Sequence, residues 1–140
     1  MVKRFLDWRF IEDATDRLVS NIQKSEIKLE AVYGLPRGGL IPAVILSHKL
    51  KIPYVVLGKD SEHYDTILIV DDICDSGKTL EKYKDFEGNI YTATIHYKNS
   101  AVYEPHFWYK LASENDWLVY PWETADSEMI QDYKNKSHGD

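Results

Sequence analysis

Residues 67–79 read Ile-Leu-Ile-Val-Asp-Asp-Ile-Cys-Asp-Ser-Gly-Lys-Thr. The segment 67–71, ILIVD, is an uninterrupted apolar run that ends in an acid. A strand covered on both faces reads this way, because a parallel sheet has helices on either side. Two adjacent carboxylates, Asp71 and Asp72, thus stand at the end of a buried strand, and a third acid, Asp75, comes three residues on. Ser76, Gly77, Lys78 and Thr79 then open a short helical stretch over 79–86. This order suits a phosphorylated sugar. Backbone N–H groups at a helix start attract a phosphate. Ser76 and Thr79 add hydroxyl donors, and Gly77 lets the backbone come close. The neighbouring acids cannot hold a phosphate, but they can hold ribose hydroxyls or the water shell of Mg²⁺, which takes few carboxylates.

Outward from this segment the chain alternates strands and helices. Residues 8–24 carry Trp8, Ile11, Thr15, Leu18 and Ile22 at helical spacing. Residues 30–34 read as a short strand, 40–50 as a buried helix with Pro42 in its first turn, and 53–57 as a strand. Residues 90–97 and 117–120 read as further strands. Such alternation predicts an α/β fold, a mostly parallel central sheet flanked by helices. Sheets of this kind bind ligands beyond the carboxyl ends of their strands, which directs attention to 34–39 and 71–79.

The 140 residues suit one domain, expected over 1–125, followed by a polar tail at 126–140. A net charge of −6 argues against a nucleic-acid binder. The single Cys74 excludes an internal disulfide framework and reads as a small buried filler. No apolar run approaches the roughly 20 residues that span a membrane, and the start lacks a signal-type stretch. The expectation is a soluble, cytoplasmic protein with no membrane partner.

Gly77-Lys78-Thr79 suggests a Walker A loop, but that loop needs a glycine where Asp72 stands. A phosphoaspartate receiver would use the strand-end acid but has no purpose for Ser-Gly-Lys-Thr. The segment 67–79 instead resembles the phosphoribosyl pyrophosphate (PRPP) loop of the type I phosphoribosyltransferases. Their pattern is an apolar strand, two acids, two apolar residues, a variable and often acidic residue, then Ser/Thr-Gly-x-Thr/Ser. Asp71, Asp72, Ile73, Cys74, Asp75, Ser76, Gly77, Lys78 and Thr79 match it position by position.

One unit upstream, Pro36-Arg37-Gly38-Gly39 follows a strand. Two glycines free backbone N–H groups to face an anion, and Arg37 supplies a charged donor. The run Arg37–Pro42 is similar to the Arg-Gly-Gly-Leu-x-Pro of the xanthine–guanine enzymes, which implies pyrophosphate binding by Pro36, Arg37 and Gly38. The resemblance also implies a non-trans peptide beside Arg37, with Pro36 expected to ease it. Downstream, a strand-end Lys98 is ordinarily a solvated charge, and Trp117 beside a strand is ordinarily core. Together they suit a purine pocket, with Lys98 donating to a 6-oxo group, Trp117 stacking on the ring and the Leu118 backbone meeting the base edge. Lys98, Trp117 and Pro121-Trp122-Glu123 also resemble the xanthine–guanine branch, which adds Glu123 to the purine set.

The resemblance implies a type I phosphoribosyltransferase fold and a purine phosphoribosyltransferase activity. PRPP and a 6-oxopurine (guanine, xanthine or hypoxanthine) would give a nucleoside 5′-monophosphate and pyrophosphate. Asp75 would be the acid/base near the purine N7, and Asp72 would meet the Mg²⁺ cofactor directly or through water. The partners implied are PRPP, a purine base or nucleotide, and further copies of the chain in a dimer or tetramer. The chain departs from the family at 58–66. Only GKDSEHYDT stands where the family carries a long flexible hood loop that closes over PRPP. The shortened loop leaves a second reading open, a non-catalytic sensor of PRPP or a nucleotide with the same fold. An orotate or other pyrimidine enzyme shares the PRPP loop but explains Lys98 and Trp117 less well.

Overall fold

The structure is a computed structural model that describes residues 2–86 and 89–125. The polar tail expected at 126–140 lies outside the described residues. The chain runs β1 (Val2–Phe5), α1 (Trp8–Ser25), β2 (Ala31–Gly34), α2 (Leu40–Leu50), β3 (Thr66–Cys74), α3 (Lys78–Glu81), β4 (Asn89–Tyr97), β5 (Phe107–Leu111) and β6 (Asp116–Val119). Four strands form the main sheet in the order β2-β3-β4-β5, and each neighbouring pair is parallel. The mostly parallel α/β architecture expected from the sequence is what the chain adopts.

Helix α1 forms where the sequence spaces its apolar residues by helical turns. Ile11, Ala14, Thr15, Leu18 and Ile22 are its buried stripe. Asp7 caps its start by accepting from the Phe10 N–H at 2.8 Å, and Glu26 closes its end in the left-handed region. Leu18 and Ile22 meet Ala43 and Leu46 of α2 over Val32, Leu68, Val70 and Ala93 of the sheet. The other sheet face packs Leu35, Ile69, Cys74, Leu80 and Tyr97. Strand β3 is therefore covered on both sides, as its apolar run requires.

Four expectations are corrected. The strand read at 67–71 extends over Thr66–Cys74, because β4 runs far enough to pair Ile73 with His96 and Cys74 with Tyr97. Asp72, Ile73 and Cys74 are thus strand residues. The helix expected over 79–86 is one α turn, Lys78–Glu81, followed by a 3₁₀ turn over Lys82–Asp85. The strand expected over 53–57 is a single parallel bridge, Tyr54 to Val32, flanked by bonds from Val32 N–H to Pro53 O and from Val55 N–H to Val32 O. Pro53 has no N–H to extend the ladder. The last strand does not extend the main sheet. Asp116–Val119 pairs in parallel with Val2–Phe5, forming a separate two-stranded sheet. Strand β1 is exposed at all four residues, and neither Val2–Phe5 nor Phe107–Leu111 shows a strict apolar–polar alternation that would announce it.

The nine residues 58–66 form no lid. Lys59–Ser61 is a 3₁₀ turn, and the Ser61 hydroxyl donates to the Gly58 carbonyl and accepts from its N–H. Tyr64 packs onto Ala31, Val55 and Ile67. The amides of Asp65 and Thr66 donate to the Glu30 side chain, just before β2. The segment is spent on returning the chain from the carboxyl end of the bridge at 54 to the amino end of β3. No helix of the described residues is long and apolar enough to cross a membrane.

Candidate active site

The carboxyl ends of β2 and β3 bring the two anion loops together. Leu35 N–H donates to Val70 O at 2.9 Å, and Gly39 N–H donates back to Leu35 O at 2.8 Å. This folds Pro36–Gly39 over the end of β3. Gly38 then stands against Asp72, where an added Cβ would lie 2.5 Å from the Asp72 Cγ. The Pro36–Arg37 peptide bond is cis. The easing expected from Pro36 does not apply to it, because proline lowers the cost of the bond before it, not the bond after it.

Asp72 is fixed on several sides. Its N–H donates to Asp71 Oδ1 at 2.9 Å, and its own Oδ1 accepts from the Ile73 N–H at 2.8 Å. Cys74 is buried and its thiol donates to Tyr103 O at 3.2 Å. Burial, with Asp71 and Asp75 adding to it, pushes that thiol up to about 11, so it stays protonated and inert as a filler. Gly77 has φ +85°, and a Cβ there would sit 2.8 Å from the Tyr103 N, so only glycine turns the chain at this point. Ser76 accepts from the Val102 N–H through its carbonyl at 2.8 Å, and its hydroxyl accepts from the Lys78 N–H. Ser76 and Lys78 are exposed and Thr79 is half-buried, so the turn lies open to a ligand.

Lys98 reaches back to this turn. Its Nζ lies 3.0 Å from Asp75 Oδ1 and 3.9 Å from Glu114 Oε2. The Lys98 side chain is only 13% exposed, whereas the Asp75 side chain is 67% exposed. A held ammonium therefore stands beside an accessible carboxylate. Trp117 is half-buried on β6, and the cation over its ring is Lys3, at 5.4 Å. Leu118 lies next to it on the same strand. Glu123 Oε1 accepts from the Tyr120 N–H at 2.9 Å and so closes the turn after β6. The structure unites Asp75 with Lys98, and Asp72 with Gly38. It commits one oxygen of Glu123 to the chain's own backbone.

Sequence reasoning missed two residues beside the site. The Tyr120 hydroxyl donates to Asp72 O at 3.2 Å and lies 2.8 Å from His96 Nδ1. Both side chains are buried. The signal for His96 was a polar residue inside an apolar strand. Tyr120 carried no signal, because its partner is 48 residues away.

As hard oxygen donors at a strand end, the Asp71 and Asp72 carboxylates fit Mg²⁺, which keeps waters and takes one or two protein carboxylates. Among the described residues no cluster of three or more His, Cys, Asp or Glu side chains could hold a metal.

No family model matches the chain. A xanthine-guanine phosphoribosyltransferase of Cereibacter sphaeroides is 31% identical, covering 76% of this chain and 75% of that protein. Among solved structures, a purine phosphoribosyltransferase of Pyrococcus horikoshii has a TM-score of 0.72 at 31% identity, covering 89% of this chain and 95% of that one. The Helicobacter pylori xanthine-guanine-hypoxanthine phosphoribosyltransferase has a TM-score of 0.75 at 25% identity, covering 97% and 99%.

Proposed function

Since the chain belongs to the type I phosphoribosyltransferase family, beside its xanthine–guanine members, we propose that it transfers the phosphoribosyl group of PRPP to a 6-oxopurine. The observation that carries the choice of base is the Lys98–Asp75 pair at 3.0 Å. O6 and N7 share one edge of a 6-oxopurine. In the N7–H tautomer that edge offers an acceptor beside a donor. Lys98 donates to O6, and the Asp75 carboxylate accepts from N7–H. Adenine would turn its 6-amino donor toward the Lys98 ammonium, leaving two donors face to face.

The chemistry follows from this placement. N9 attacks the anomeric carbon of PRPP as the bond to pyrophosphate breaks, and the N7 proton passes to Asp75. Ser76, Gly77, Lys78 and Thr79 hold the 5′-phosphate, while Asp71 and Asp72 hold the ribose hydroxyls. Ile73 and Cys74 seat the loop. Pro36, Arg37 and Gly38 bind the pyrophosphate. Trp117 stacks on the base, with Leu118 and Glu123 at its edge. Asp72 would hold Mg²⁺ directly or through water, and the ion would supply positive charge for the pyrophosphate. Action in the cytoplasm as a homo-oligomer belongs to the same reading.

The test is a spectrophotometric assay with PRPP, Mg²⁺ and, separately, guanine, xanthine, hypoxanthine, adenine and orotate. Turnover is expected with at least one 6-oxopurine. Turnover confined to adenine or orotate would overturn the choice of base. No turnover with any base, while calorimetry still registers PRPP, would leave the sensor in its place. Nothing in the comparisons favours that sensor.

Lys98→Met is expected to raise KM for the 6-oxopurine about ten- to a hundredfold, the scale of a lost bond from a charged donor. KM for PRPP should hold within about twofold, since the lost ion pair with exposed Asp75 is weak in water. A KM for the base that does not move would remove Lys98 from the base site.

A further inference from the structure

Residues Tyr120 and His96 lie just outside the machinery described above, yet they reach its most constrained residue. The β3–β4 ladder pairs Asp71 with Thr94 and then Ile73 with His96, passing over Asp72. At that gap the Asp72 carbonyl accepts from the Tyr120 hydroxyl at 3.2 Å. Tyr120 follows directly on β6, so the bond joins the small sheet to the main one at the ligand end of β3.

A phenol has one proton. Given to Asp72 O, it is not available to His96, so the 2.8 Å contact requires His96 to donate from Nδ1–H. The imidazole is held for this. It stacks on Phe10 at 5.5 Å with 9° between the rings, and it is 2% exposed. Burial, and secondarily Lys110, pull its pKa down to about 4, with Asp116 opposing, so the ring is neutral with a single N–H to place.

We propose that Tyr120, oriented by His96, is a positioning residue for PRPP. It fixes the backbone of Asp72 and thereby the direction of the adjacent carboxylates toward the ribose and its metal. This rests on the phosphoribosyl-transfer reading, and it assigns to the turn after β6 a role in PRPP binding as well as in base binding. The bond acts on the sugar side of the site, so its loss registers in PRPP affinity and not in base affinity.

Two measurements test it. The first is independent of catalysis. The ¹⁵N shifts of His96 in the intact protein should report the Nδ1–H tautomer and should change in Tyr120→Phe. An Nε2–H tautomer in the parent protein would overturn the proposal, whatever the protein catalyses. The second is titration calorimetry with Mg-PRPP, alongside kinetics. Tyr120→Phe is expected to weaken PRPP roughly tenfold, as a half-buried carbonyl loses its partner, with the purine KM moving less than about twofold. His96→Leu should do the same, and His96→Asn, which keeps a donor near Nδ1, should recover most of the loss. Equal losses in PRPP and purine affinity, or no rescue by Asn relative to Leu, would reduce the pair to packing. Should Tyr120→Phe not fold, the two His96 variants decide alone. Failure of the parent protein to bind PRPP would refute the transfer reading instead, and the tautomer measurement would still stand.

Discussion

Asp75→Asn is expected to lower kcat by about 10²–10⁴-fold, the usual worth of a positioned proton acceptor. The substitution keeps the shape of the side chain and removes its ability to take the N7 proton. It also uncouples Lys98 Nζ, now 3.0 Å away, but the Asp75 side chain is 67% exposed, so that pair contributes little to folding. The dissociation constant of a nucleoside 5′-monophosphate should therefore stay within a few-fold of the parent, and calorimetry beside steady-state kinetics reads both quantities. Turnover equal to that of the parent would hand the proton to solvent and remove Asp75 from the chemistry.

Gly38→Ala is expected to weaken Mg-PRPP binding by about ten- to a hundredfold while sparing the fold. A methyl there meets the Asp72 carboxylate, 2.5 Å from its Cγ. Forcing an extra methyl into filled space typically costs ~1–3 kcal/mol. The backbone of Asp72 cannot give way easily, since its N–H and its carbonyl are both bonded. The carboxylate turns instead and breaks its 2.8 Å bond with the Ile73 N–H. The strain thus falls on the group meant to face sugar and metal. Calorimetry with Mg-PRPP and a thermal melt separate the outcomes. A fall in melting temperature with unchanged affinity would show that the loop moves as a whole and that Asp72 does not need Gly38.

The elements that position the site were legible because their signals are local. Apolar spacing marks α1, the long apolar run marks β3, and the Asp71–Thr79 pattern marks the ligand turn. What was not legible depends on distant partners. Val2–Phe5 is exposed along its length and becomes a strand only because Asp116–Val119 lies beside it. Strand β3 outran its apolar run because β4 continued past it, which no residue within 67–79 announces. The pairing of Lys98 with Asp75 was not foreseen, although each was assigned to the base edge separately. The Tyr120–Asp72 bond spans 48 residues and two sheets, beyond the reach of any pattern in the sequence.

The tied turn at Gly58–Ser61 bears on what else the anomeric carbon meets. An enzyme whose loop shuts over the sugar chooses its nucleophile by exclusion. Here Gly58, Ser61, Tyr64, Asp65 and Thr66 are tied down at the sheet, so under the transfer proposed above this segment does not shield the anomeric carbon, and bulk solvent would stand as a rival to N9. Selectivity must then come from sequence of events, with the base seated before the pyrophosphate bond loosens. The ratio of nucleotide formed to ribose phosphate lost by hydrolysis becomes a function of base concentration.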